Sequence, residues 1–196
     1  VVNQYIASHP QDVFRNLQSH RFLQFIPCLD DFDGSRNQYS LDNLNYGQFL
    51  IETFALQANH PVIVRNFDNW IGIMLDQPPE NCAMAEHCGC YYLVEADGGV
   101  YPSDFYVLDQ WRMGNINNAS FFRLEKSPLG QAFREASWEL PSECKKCSWL
   151  FLCRGGCKWG REPIIPDQPS LNRLCDGHRM FFEACEHRMR VLQTAC

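Results

Sequence analysis

The sequence predicts an α/β chain built in two parts, and three observations predict it. Residues 1–80 alternate apolar, strand-like runs with helical patterns, the order expected of a parallel sheet with crossover helices. A double proline in "LDQPPENC" (Leu75 to Cys82) interrupts that order. Ten of the eleven cysteines lie beyond the interruption, in a stretch that reads as a small α+β unit with a β-hairpin and a terminal helix. The expected division is residues 1–78 and 79–196.

The elements follow in order. Asp12 to His20 puts Val13, Phe14 and Leu17 at helical spacing. "RFLQFIPCL" (Arg21 to Leu29) is an apolar run ended by proline and acid, expected as a buried strand, and Asp30 to Ser40 is a polar loop. Ser40 is the expected N-cap of a helix carrying Tyr46, Phe49, Leu50 and Phe54 on one face. A β-branched run from His60 to Trp70 supplies the next strand. Past the double proline, Gly89 to Leu108 reads as two strands joined at Asp97-Gly98-Gly99, with Glu95 and Asp97 as hairpin charge. "MGNINNAS" reads as a further turn. Ser170 to Gln193 is amphipathic and helical, with Phe181 and Phe182 in the core.

The formal net charge of −6 argues against a nucleic-acid or anionic-membrane surface as the main partner. No run approaches the roughly eighteen apolar residues of a membrane span. The opening "VVNQYIASHP" has neither a basic n-region nor a small-residue cleavage site, so no signal peptide is read and a cytoplasmic location is expected. In that reducing compartment an odd number of clustered cysteines points to metal ligands rather than disulfides.

"ECKKCSWLFLCRGGC" (Glu143 to Cys157) sets four thiols at C-x2-C-x5-C-x3-C, with Gly155 and Gly156 letting the backbone wrap close to an inorganic core. Lys145, Lys146, Arg154, Lys158 and Arg161 flank them, positive charge that suits an anionic centre. Zinc takes four thiolates and so does an iron–sulfur cluster; spacing alone leaves both open.

"CGCYYLVEADGGVYPSDFYVLDQWRMGNI", then "ECKKCSWLFLCRGGC", then Cys175, resembles the C-terminal half of the anaerobic sulfatase-maturating enzymes. These are radical S-adenosylmethionine (SAM) proteins with a SPASM cluster-binding domain. "RFLQFIPCLDD" and "VRNFDNW" resemble the last part of that family's catalytic barrel. The resemblance implies the C-terminal portion of a partial (β/α) radical SAM barrel followed by a small α+β SPASM domain. It implies oxidation of one Cys or Ser of an unfolded or nascent sulfatase polypeptide to Cα-formylglycine, with flavodoxin or ferredoxin as electron donor.

The resemblance also assigns residues. One auxiliary [4Fe–4S] cluster would use Cys144, Cys147, Cys153 and Cys175. The other would use Cys82, Cys88 and Cys157, with Ser103 where the family string "YPCDFY" has its fourth cysteine. Ser103 admits an alkoxide ligand, a three-cysteine cluster or an absent centre. Asp104 matches the catalytic base that removes the substrate's S–H or O–H proton, and Leu29 a main-chain contact to SAM. Gln24 and Arg65 are candidates for the same barrel lining. His87 and His178 are expected as surface groups or as groups orienting the ligands, and Cys90 and Cys185 as buried small residues. No CxxxCxxC triplet, the family's SAM-cleaving motif, occurs in these 196 residues. The chain is therefore read as a fragment, inactive alone, of an active parent. The competing readings are a zinc-ribbon binding module and a catalytically inactive SPASM homologue.

Overall fold

The computed structural model describes residues 1–30, 35–89, 91–162 and 170–195. Cys90, Cys196 and residues 31–34 of the expected polar loop lie outside them. The chain enters through two helices, α1 (Gln4–Ala7) and α2 (Pro10–Leu17). Pro10 opens α2, where a missing N–H leaves no bond unmade, and Phe14 is buried beneath it.

The run expected as one buried strand gives a ladder only at β1 (Phe22–Leu23), paired parallel with β2 (Ile63–Val64) in the register Phe22↔Ile63. Pro27 makes a separate bridge to Val2. Phe25 is buried but Phe22 and Ile26 are exposed, because among the described residues β1 has a single ladder partner and packs on one face only. The second run also stops early. Its strand ends at Val64 and α4 (Arg65–Met74) begins, since Phe67, Trp70 and Ile73 recur at helical spacing and bury one face.

Between the strands lies α3 (Asn43–Gln57). Its cap is Asp42, not Ser40: the Asp42 carboxylate accepts the N–H groups of Leu44 and Asn45, each at 3.0 Å. Ser40 instead accepts the Asn37 N–H at 2.7 Å and closes the preceding turn. Tyr46, Phe49, Leu50 and Phe54 face the core as expected.

The expected hairpin is present as β3 (Leu93–Val94) and β4 (Gly99–Tyr101), antiparallel, with Gly98 at φ +82° in the turn, a conformation glycine adopts without strain. Asp97 accepts the Gly99 N–H at 2.8 Å and pairs with Arg112 at 2.6 Å. The segment read as a turn adds a third strand, β5 (Gly114–Asn115). Helices α5 (Phe121–Glu125) and α6 (Pro128–Trp138) follow, the latter capped by Ser127. Then come α7 (Ser142–Lys145) and α8 (Leu150–Cys153).

The terminal helix α9 spans Cys175–Ala195. It starts five residues later than Ser170 because Asn172 folds back to accept the Leu174 N–H at 2.9 Å. Phe181, Phe182, Cys185 and Met189 project from it into the core. Phe181 stacks on Phe67 with ring centroids 5.5 Å apart, and Phe182 meets Trp70 edge-on at 5.1 Å. One hydrophobic cluster runs from Val2 through Trp70 to Met189, so residues before and after the double proline share a core.

The α3–α9 contact is close because two glycines face each other. A Cβ on Gly177 would sit 2.2 Å from the Asn43 carbonyl oxygen, a backbone atom that cannot swing aside. Gly177→Ala is expected to destabilise the fold by about 1–3 kcal/mol, the cost of overpacking, read as a lower denaturation midpoint with an unchanged denaturant slope.

Candidate metal centres

Two short helices and the start of the long terminal helix carry one set of thiols. Cys144 lies on α7, Cys153 ends α8, and Cys175 begins α9. Cys147 follows α7, its N–H donating to the Cys144 carbonyl at 3.0 Å. All four line a single cavity of about 80 Å³. The turn leaving α8 makes this possible. Arg154, Gly155 and Gly156 are successively left-handed, at φ +51°, +81° and +67°. A Cβ on Gly155 would lie 2.5 Å from Leu140.

Burial pushes the Cys153 thiol up to about 12, a Gly155 N–H works against that, and repulsion from Cys175, Cys144 and Cys147 adds to it. Cys175 is raised by burial and then by Cys144. Mutual repulsion of this kind marks thiols gathered in one place, which bind as thiolates only when a metal replaces their protons.

The second set gathers around Cys157. Its sulfur accepts N–H groups from Trp159 and Gly160, and burial raises its pKa. Cys88 is raised by burial and then by Cys157, which places the two thiols together. The Cys88 N–H is held by Ser137 on α6 at 2.9 Å. Cys82 and Cys157 both line a larger cavity of about 620 Å³, and so do Asp104 and Leu29. Gln24 and Arg65 line it too and bond to each other at 3.2 Å. Cys153 borders both cavities.

Ser103 caps the 3-10 turn Asp104–Tyr106. Its hydroxyl donates to Asp104 Oδ1 at 3.1 Å and accepts the Phe105 N–H at 3.3 Å. Phe105 N–H also reaches Asp104 Oδ1 at 3.1 Å, which leaves Oδ2 as the oxygen with no hydrogen bond among the described residues. Ser103 is absent from the cavity lining that holds Cys82, Cys157 and Asp104.

The donor sets fit clusters better than single ions. Around one zinc, thiolate sulfurs crowd within about 4 Å of each other. Among the described residues no three His, Cys, Asp or Glu side chains lie close enough to hold one ion. A cubane takes one thiolate at each iron and so accepts a wider spread.

The flanking basic residues divide once they are placed. Arg154 pairs with Glu86 at 3.3 Å. Lys158 pairs with Glu162, which also accepts the Tyr106 hydroxyl, and lies over the Tyr106 ring at 4.9 Å. Lys145 and Lys146 are exposed. Arg161 alone of the five is buried; nothing in the sequence separated it from its neighbours, because burial is set by how α6 closes over it.

His178 is half-buried. It lines both cavities, and its ring packs against Tyr46 and Trp70, each at 5.9 Å. Burial lowers its pKa to about 4, so the ring is neutral at neutral pH. His87 is exposed beside Glu86 and Arg154. Cys185 is buried as expected.

Fold and thiols together define a class. The SPASM family, an iron–sulfur cluster-binding domain, matches residues 82–148. That stretch includes Cys82, Cys88, Cys144 and Cys147 and ends before Cys153, Cys157 and Cys175. Within that class the chain is similar to the anaerobic sulfatase-maturating enzymes. Over 93% of its length it is 37% identical to a cysteine-type enzyme of Clostridium novyi (strain NT), covering 51% of that protein. Over the same share it is 28% identical to a serine-type enzyme of Bacteroides thetaiotaomicron, covering 50%. All of it superposes on solved structures of anSMEcpe. With bound AdoMet the TM-score is 0.91 at 35% identity and 54% coverage of that chain. With AdoMet and the Kp18Cys peptide it is 0.92 at 34% identity and 56% coverage. The chain spans about half the length of the curated relatives it matches. These matches do not favour a zinc ribbon.

Proposed function

We propose that the chain forms part of a radical SAM enzyme that oxidises a Cys or Ser of a sulfatase polypeptide to Cα-formylglycine. The observation that carries this reading is the 620 Å³ cavity, which gathers Leu29, Asp104, Cys82 and Cys157 in one lining. Cys144, Cys147, Cys153 and Cys175 hold one [4Fe–4S] cluster. Cys82, Cys88 and Cys157 hold the other, with Ser103 at the fourth position.

When bound, SAM supplies the radical that takes hydrogen from the substrate Cβ, and the clusters supply a sink for the electron. Asp104 takes the remaining proton from the substrate's S–H or O–H; a Ser substrate then stands as the aldehyde, and a Cys substrate as a thioaldehyde that water converts to the aldehyde with release of sulfide. With Oδ1 fixed by Ser103 and Phe105, Oδ2 is the oxygen free to receive the proton. The main chain at Leu29, in the cavity lining, would help to hold SAM. Flavodoxin or ferredoxin is the electron donor and the cytoplasm the location. No helix among the described residues is long and apolar enough to cross a membrane. With no CxxxCxxC triplet among its 196 residues, the chain by itself does not cleave SAM. The cavity and the open Asp104 oxygen support a working enzyme over an inactive homologue.

Anaerobic reconstitution tests the reading. The expected product is brown, with broad absorption near about 400 nm and roughly eight irons per chain, matched by sulfide. Stoichiometric zinc without sulfide, in a colourless folded protein, would overturn it.

A further inference from the structure

We propose that Arg161 is a counter-charge shared by both clusters and sets the reduction potentials of the two together. This rests on the iron–sulfur assignment above. The Arg161 side chain is 8% exposed, yet no carboxylate among the described residues pairs with it. Its Nη1 donates to the Glu139 carbonyl at 2.6 Å and its Nη2 to the Ser137 carbonyl at 2.7 Å. Both acceptors are neutral. Its Nε is buried with no hydrogen-bond partner. A buried cation without a counter-ion is costly, so this one is retained where an anion is to arrive.

The surroundings say where that anion sits. Nε lies beside Gly155, 3.7 Å from where a Cβ would be, in the turn that delivers Cys153 to one set and Cys157 to the other. Ser137, whose carbonyl binds Nη2, holds the Cys88 N–H with its hydroxyl. Glu139, whose carbonyl binds Nη1, leads through Leu140 and Pro141 into the helix bearing Cys144. The guanidinium thus touches the supports of both sets. The other cations near the turn are spent on Glu86 and Glu162. Arg161 is therefore a positioning residue that acts on electron transfer through the clusters, without touching substrate.

Reduction adds a negative charge to a cluster, so removing a nearby positive charge disfavours it. Full-length protein carrying Arg161→Met, reconstituted anaerobically and titrated with EPR detection, should show both auxiliary centres at lower potential at unchanged iron content. Arg161→Lys keeps the charge but loses the fork to two carbonyls; it should keep both potentials near the wild-type values. Unmoved potentials in the Met variant, or a shift at one centre only, would overturn the inference. Should the Met variant not fold, Arg161→Gln, neutral and still able to donate to a carbonyl, decides in its place: a fall at both centres supports the proposal and unmoved potentials overturn it. A wild-type protein that binds no iron overturns the assignment beneath it instead.

Discussion

Asp104→Asn in the full-length protein is expected to slow formylglycine formation by about 10²–10⁴-fold, the range for loss of a general base, while SAM cleavage continues. Asparagine keeps the side-chain shape and an oxygen able to accept from Ser103 and Phe105, so the 3-10 turn should stand. That turn is anchored independently. Tyr106 is buried with its hydroxyl on Glu162, and the Phe105 ring lies 5.4 Å from Trp159. What the amide loses is the ability to take a proton at the second oxygen. In the proposed mechanism hydrogen removal from the substrate carbon precedes that step, so the two readouts should separate. Mass spectrometry of a substrate peptide reports the aldehyde, and 5′-deoxyadenosine reports SAM cleavage. An unchanged aldehyde yield would remove Asp104 from the chemistry. Loss of both products together would point to a damaged cavity.

Local pattern made part of this legible in the sequence. The buried face of α3, the turn at Asp97-Gly98-Gly99 and the Phe181–Phe182 pair follow from periodicity and turn chemistry that neighbours on the chain decide. The errors fall where a tertiary partner chooses between local options. Ser40 and Asp42 are both good caps; Asp42 won, and Ser40 closes the turn before it. The run after His60 is β-branched only as far as Val64, and the aromatic residues beyond it belong to a helix buried against α9. Cysteine spacing puts Cys157 in one run with Cys144, Cys147 and Cys153, yet in the fold it lines the larger cavity with Cys82 and its charge acts on Cys88. Arg161 and Lys158 look alike on paper. One is buried with two carbonyls for company and the other is neutralised by Glu162, a difference no spacing encodes.

Cys157→Ala puts that interleaving to the test. Cys157 is grouped here with Cys88 and Cys82, although it follows Cys153 by only one short turn. If the grouping holds, the variant should lose about four irons per chain, the content of one cubane, and keep the EPR signal of the centre held by Cys144, Cys147, Cys153 and Cys175. Cys153→Ala should do the converse. Stability should fall with the iron. A centre joining Cys88 to Cys157 ties the entry to the hairpin to the turn after α8, and a link closing a loop of that length restrains the unfolded chain by about 4 kcal/mol. The anaerobic denaturation midpoint should therefore drop in the variant and drop further when its remaining iron is removed. Loss of all iron from Cys157→Ala would mean the two centres assemble as one unit. Loss of none would mean that Cys157 is not a ligand and does not belong with Cys82 and Cys88.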